Sequence, residues 1–190
     1  CGDDNFKMKG PAAATAVADD SYHRLLGWTG QRTPGKPDGR AWPPHIDARP
    51  KMVFYGDSFM RGTVGPSQSI PALVEAAIPL RQALSYAVAG YGVDQIWLRY
   101  MLQADRIPED TPVLFGVLTV DLDRSAMRYR GAIKPIYRRV GGSFELAGVP
   151  PPRDVAAWLQ DNPPRAKSYG LALLGSAAEL LVTGFDRSEV

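Results

Sequence analysis

Four apolar residues in succession, Met52-Val53-Phe54-Tyr55, mark the point at which the chain acquires a regular pattern. A short run without polar interruption is what a strand covered on both faces requires. Residues 71–78 then read as a helix, with Pro71 acceptable in its first turn because an N–H there has no intrahelical partner. A second strand is expected over 83–88. Over 93–104, Ile96, Trp97, Tyr100, Met101 and Ala104 recur at helical spacing and predict an amphipathic helix. Residues 113–118 complete the series as a third apolar strand. Strands alternating with helices in this order predict an α/β fold on a parallel sheet with right-handed crossovers, the first strand in the middle.

Past Asp121 the pattern changes. Residues 134–137 and 143–146 flank Gly141-Gly142 and read as a β-hairpin. Pro150-Pro151-Pro152 ends it, a short helix is expected over 153–160, and a longer one over 166–185, weakened by Gly170 and Gly175. Upstream of the regular region, residues 1–20 lack periodicity and read as a flexible tether. Residues 21–50 form an irregular arm. Its 29–50 portion holds Pro34, Pro37, Pro43, Pro44 and Pro50 with Gly30, Gly35 and Gly39, which no helix or central strand tolerates. Trp28 and Trp42 are its candidate anchors. The α/β domain proper is assigned to 51–190.

Composition narrows the function classes. At 190 residues, 45% hydrophobic and 22% charged, the chain is long enough for one globular domain with a core. A formal charge of +2 gives no nucleic-acid footprint. No apolar run reaches the roughly 18 residues of a membrane span, and 170–185, interrupted by Glu179, reads as a core helix. One cysteine excludes an internal disulfide framework. A chain opening at Cys1 is either a processed product or a fragment. Cys1-Gly2-Asp3-Asp4-Asn5 has the look of a lipid-modified bacterial lipoprotein start, which would tie the protein to a membrane through Cys1 alone; an arbitrary cut is the alternative.

The first strand delivers Gly56-Asp57-Ser58 to the carboxyl end of the sheet, where open α/β folds bind ligands. A serine on the turn into a helix has an exposed hydroxyl and a backbone N–H able to meet an oxyanion. The tripeptide is also a good turn and helix cap. Two histidines and one terminal cysteine supply no metal site, and Gly90-x-Gly92 lacks the remaining glycines of a dinucleotide loop, so no cofactor is expected.

The neighbourhood of the serine carries a resemblance. The stretch from Phe54 through Gly56-Asp57-Ser58 to Gly62 resembles the first block of the SGNH/GDSL-type serine ester hydrolases. Val88-Ala89-Gly90-Tyr91-Gly92-Val93-Asp94-Gln95 is similar to their second block, and Leu118-Thr119-Val120-Asp121-Leu122-Asp123-Arg124-Ser125 stands in the register of the third. Arg130 to Tyr137, followed by Gly148-Val149-Pro150, is similar to a bacterial cell-envelope branch. The resemblance covers about residues 25–152. It implies a three-layer, flavodoxin-like parallel sheet, with Ser58 as nucleophile, the N–H groups of Ser58 and Gly90 as oxyanion donors, and Asp57 as a turn and positioning group. It implies a periplasmic, cell-envelope setting and an acyl ester of a glycan or lipid as substrate.

Two departures stand against turnover. Relatives of this family place an oxyanion-binding Asn in the third block where Val120 stands here; a register slip of one would bring Asp121 there. The family's base lies in a late Asp-x-x-His motif, whereas the only histidines are His23 and His45, both upstream of Ser58. The sheet is then incomplete at its C-terminal side. Three functional readings follow: an esterase or acyl-transfer domain that is inactive as the chain stands; a catalytically dead accessory subunit with a protein partner; or, with Gly56-Asp57-Ser58 coincidental, a different flavodoxin-like binding domain. The basic residues Arg124, Arg128, Arg130, Lys134, Arg138 and Arg139 either guide an anionic substrate or form a solvated face paired with Asp121 and Asp123.

Overall fold

The computed structural model describes residues 22–29, 47–62, 66–129, 133–146 and 155–161. The expectations for the tether, most of the arm with Trp42 and His45, and the helix at 166–185 lie outside these residues.

The fold is mixed α/β around a three-stranded parallel sheet. Strand β3 (Lys51–Gly56) lies between β4 (Gln82–Ser85) and β5 (Val113–Gly116). Val53 pairs with Leu84 on one side and Val113 on the other, and Gly56 faces Gly116 at the end of the ladder. Past β4 the backbone keeps bonding to β3, Tyr86 N–H to Phe54 O at 2.8 Å and Val88 N–H to Gly56 O at 3.0 Å. The extended segment therefore reaches the expected residue 88. The third strand stops at Gly116 instead of 118.

Alternation along β3 divides the core. Val53 and Tyr55 face one side with Leu26, Leu84, Tyr86, Val88, Tyr91 and with Ile96 of helix α3 (Val93–Met101). Met52 and Phe54 face the other with Ala83, Ala87, Met60 of α1 (Ser58–Arg61), and Ile70 and Val74 of α2 (Ile70–Ala77). A strand clothed by helices on both faces has no polar side to show, hence its unbroken apolar run. Ser69 caps α2, accepting from Ala72 N–H at 3.3 Å. Helix α3 is shorter than expected: Met101 ends it, and a separate 3-10 turn takes Ala104–Arg106.

Two other expectations are corrected. The pattern gave no helix after β5, yet Thr119–Ala126 forms α4, started by the Asp121 carboxylate accepting from Leu118 N–H at 2.9 Å. The hairpin's first strand, expected over 134–137, is instead β6 (Tyr137–Val140), paired with β7 (Ser143–Leu146). Pro135 has no N–H to give a ladder, and Lys134 is buried in an ion pair. Helix α5 covers Val155–Asp161.

Strands β1 (Tyr22–His23) and β2 (Gly27–Trp28) form a small hairpin that closes the α3 side of the core. His23 Nδ1 accepts from the N–H groups of Leu25 and Leu26, each at 3.2 Å, and so holds the turn. Trp28 is anchored by its indole N–H on Ala89 O at 3.1 Å and by Tyr91 Oη–H donating to its carbonyl. Gly27 has φ +82°, and a Cβ there would lie 2.3 Å from Ile133 O. Gly27→Ala should therefore cost about 2 kcal/mol or more, measured by urea unfolding, since left-handed backbone alone costs 1–3 and the carbonyl must also move.

At the amino end of β3, Arg49 joins Asp47 (2.6 Å) to Glu75 of α2 (2.6 Å). The Arg49 guanidinium bonded to Asp47 holds its carboxyl down at about 2, against the usual 3.8. A depressed folded-state value means that the pairing is fully present above the unfolded carboxyl's 3.8 and is lost as pH falls through about 2. Carboxyl NMR titration should find Asp47 at the low value, and Arg49→Gln should return it toward 3.8.

Candidate active site

Because the three strands are parallel and adjacent, the segments following them emerge at one edge of the sheet. Asp57-Ser58 follows β3, the 86–92 loop follows β4, and α4 follows β5. Asp57 is the N-cap of α1: its Oδ1 accepts from Phe59 N–H at 2.8 Å. Its Oδ2 lies 3.4 Å from Ser58 Oγ, which donates to it. Ser58 is half-buried and opens α1, so its N–H falls among the first-turn donors that have no intrahelical acceptor.

Under the serine lies a buried charge cluster. Arg124 of α4 donates through Nη1 to Asp57 Oδ2 at 2.7 Å and to Asp121 Oδ1 at 2.6 Å, with a longer contact of 3.4 Å to Tyr91 O. Its Nε is buried without an acceptor. Burial, with Asp57 beside it, raises the Asp121 carboxyl above its ordinary value, against the pull of the Leu118 N–H and of Arg124. The Arg124 carbonyl in turn accepts from the fully buried Lys134, whose ammonium pairs with Asp94 at 3.0 and 3.3 Å. Ser125 completes the web: its Oγ donates to Asp121 O at 2.8 Å and accepts from Asp94 N–H at 3.2 Å. At Gly92 a Cβ would lie 2.7 Å from Ser125 N, so the absence of a side chain is what lets α3 and α4 approach.

The residues singled out from sequence fare differently in this arrangement. Asp57 and Ser58 are brought together, the Ser58 hydroxyl and Arg124 both donating to Asp57 Oδ2. Gly90 is half-exposed with φ +83°, in the loop whose Tyr91 carbonyl touches Arg124. Val120 lies in the first turn of α4 with its side chain 40% exposed and has no part in the cluster. Asp121 points inward as a helix cap and ion-pair partner. Sequence reasoning grouped Arg124 and Lys134 with the exposed Arg138 and Arg139, whereas both are buried. The signal for Arg124 was the i,i+3 spacing from Asp121, but nothing local announced Asp57 as its second partner.

Histidine is scarce at this edge. Among the described residues only His23 occurs, and its Nδ1 is occupied by the β1–β2 turn. No group of three or more metal-ligating side chains occurs among the described residues, and none of their helices is long and apolar enough to cross a membrane. No family model matches the chain, and no curated protein matches it.

Removing one member of a buried ion pair strands the other, at about 3–5 kcal/mol. Lys134→Met should therefore lose roughly that much in chemical denaturation, and Lys134→Met with Asp94→Asn should regain at least half of it. Equal losses in the single and double variants would show that the pair itself contributes nothing.

Proposed function

We propose that the chain is an SGNH/GDSL-type ester hydrolase or acyl-transfer domain, flavodoxin-like in its three layers and directed at acyl esters of the cell envelope. The observation that supports it most is Ser58 itself: half-buried at the carboxyl end of the central strand, on a tight turn into α1, with its N–H directed into the helix's open first turn. The resemblance of the three sequence blocks adds the chemistry. Ser58 would attack the acyl carbonyl, and the N–H groups of Ser58 and Gly90 would receive the oxyanion.

As it stands the 190-residue chain should not turn over. An unactivated hydroxyl is a weak nucleophile at neutral pH, and Asp57 is already committed to Arg124 and to the α1 cap. With Val120 in place of the third donor, ~2.7–4 kcal/mol of oxyanion stabilisation is also missing. Without a base, an intact oxyanion hole and binding would leave a residual of about 10³–10⁴ over water, and with one donor missing less than that is expected. A catalytically dead accessory subunit is the second reading. It is favoured by β5, an edge strand among the described residues whose Leu114 and Phe115, with Val117 just beyond the strand, are exposed, as a surface awaiting another chain is.

Two assays separate these readings. The protein alone should neither hydrolyse p-nitrophenyl esters measurably nor label at Ser58 with a fluorophosphonate. With imidazole added as an external base, label should appear at Ser58 and vanish in Ser58→Ala. Labelling without imidazole would reveal a base within the chain, and His45→Ala would then be the first variant to test. If imidazole produces no label at Ser58, the nucleophile reading is wrong and the accessory reading takes its place.

A further inference from the structure

On the reading of Ser58 as nucleophile, we infer that Arg124 is a positioning residue that acts on Ser58 through Asp57. The arrangement of its bonds carries the inference. A guanidinium offers five N–H donors and pairs best with a carboxylate through two parallel bonds. Asp121, three residues back on the same helix, is the local partner for such a fork. Arg124 instead directs a single nitrogen to both carboxylates and leaves Nε without an acceptor, inside the protein. An unmet buried donor costs about 1–3 kcal/mol, so this geometry is maintained against a local alternative that would meet more donors. What it gains is contact with Asp57 Oδ2, the oxygen to which Ser58 Oγ donates.

The consequence is steric and electrostatic. Asp57 carries two tasks on two oxygens: Oδ1 caps α1 and Oδ2 meets Ser58. A carboxylate without a third contact can rotate about its terminal torsion, which is broad and nearly two-fold. Arg124 restrains that rotation, because turning the carboxylate out of its present plane would lengthen a 2.7 Å ion pair. Asp57 is thereby held in place, and its contact with the hydroxyl sets where Ser58 Oγ stands, while the hydroxyl can still turn its proton to an incoming base. The α4 backbone supplies the rigidity, since the Arg124 carbonyl is itself clamped by Lys134.

The test uses the full chain with a fluorophosphonate probe and imidazole. Ser58 Oγ forms the P–O bond, fluoride leaves as the P–F bond breaks, and the hydroxyl proton passes to imidazole. Arg124→Lys keeps the charge but lacks the planar fork. It should lower the maximal labelling rate by about 10- to 100-fold, the scale on which an ångström of misplacement acts, with the half-saturating probe concentration unchanged. Arg124→Met should lower it further. Met52→Ala, a buried truncation at the far end of β3, should destabilise the fold yet label within about twofold of the unsubstituted protein. Should Arg124→Lys not fold, Asp57→Asn replaces it: the amide oxygen still caps α1 but the ion pair is gone, and the same loss is expected. Labelling of folded Arg124→Lys or Asp57→Asn at the unsubstituted rate overturns the inference. So does a loss in every variant, Met52→Ala included, that merely tracks melting temperature. Absence of imidazole-dependent label in the unsubstituted protein removes the nucleophile reading itself, and the inference with it.

Discussion

The double ion pair of Arg124 with Asp57 and Asp121 is the constraint around which this edge of the molecule is arranged. Taking charges out of water is expensive, by several kcal/mol per ion after relaxation, and the loss is recovered only when geometry and secondary hydrogen bonds are good. Here one guanidinium serves two carboxylates, so the trio carries a net negative charge. Each acid is further met by a backbone N–H at a helix start, Asp57 by Phe59 and Asp121 by Leu118. The helix N-termini thus stabilise the excess charge, as their dipoles favour. Both short helices begin where they do because these carboxylates are there.

From this pairing the convergence of three chain segments follows. Asp57 belongs to the turn after β3, Arg124 and Asp121 to the helix after β5, and the Tyr91 carbonyl to the loop after β4. A parallel sheet delivers three such segments to one edge but does not join them to one another. The joining is done by polar groups. Lys134 extends it to Asp94 at the start of α3, and the closeness of α3 to α4 rests on Gly92 having no Cβ. Buried polar webs of this kind fix a single arrangement where apolar packing alone would admit several.

Much of the sheet was legible in the sequence because burial on both faces leaves an unmistakable mark: Met52 to Tyr55 is apolar without a break, and so are Val113 to Phe115. Helix α2 was read with Pro71 in its first turn, and helix α3 declared itself by period. Helix α4 did not. Its turn-and-a-half of apolar signal is drowned by Asp121, Asp123, Arg124 and Ser125, and it is held by charges whose partners lie 67 residues away in the chain. Long-range ion pairs have no periodicity, so a buried arginine and a solvated one look the same in a sequence. The same blindness shifted the hairpin: Lys134 looked like a strand residue facing water, although its ammonium lies inside. Ser58 and Asp57 were legible as a turn and as a family resemblance, but the carboxylate's commitment to Arg124 was not.

That commitment decides from which side Ser58 can be activated. Both Asp57 oxygens are engaged, Oδ1 by the Phe59 N–H and Oδ2 by Arg124 and the Ser58 hydroxyl. The interior side of the hydroxyl is filled by Asp57, Arg124 and Asp121, all of them buried. On the other side stand the half-buried Ser58 itself and Phe59, 63% exposed. On the reading of Ser58 as nucleophile, a base would have to come to it from solvent, across the surface that Phe59 begins. On that reading the buried cluster sets the serine in place for a base supplied from elsewhere, with its own carboxylates already engaged by Arg124 and by helix N–H groups.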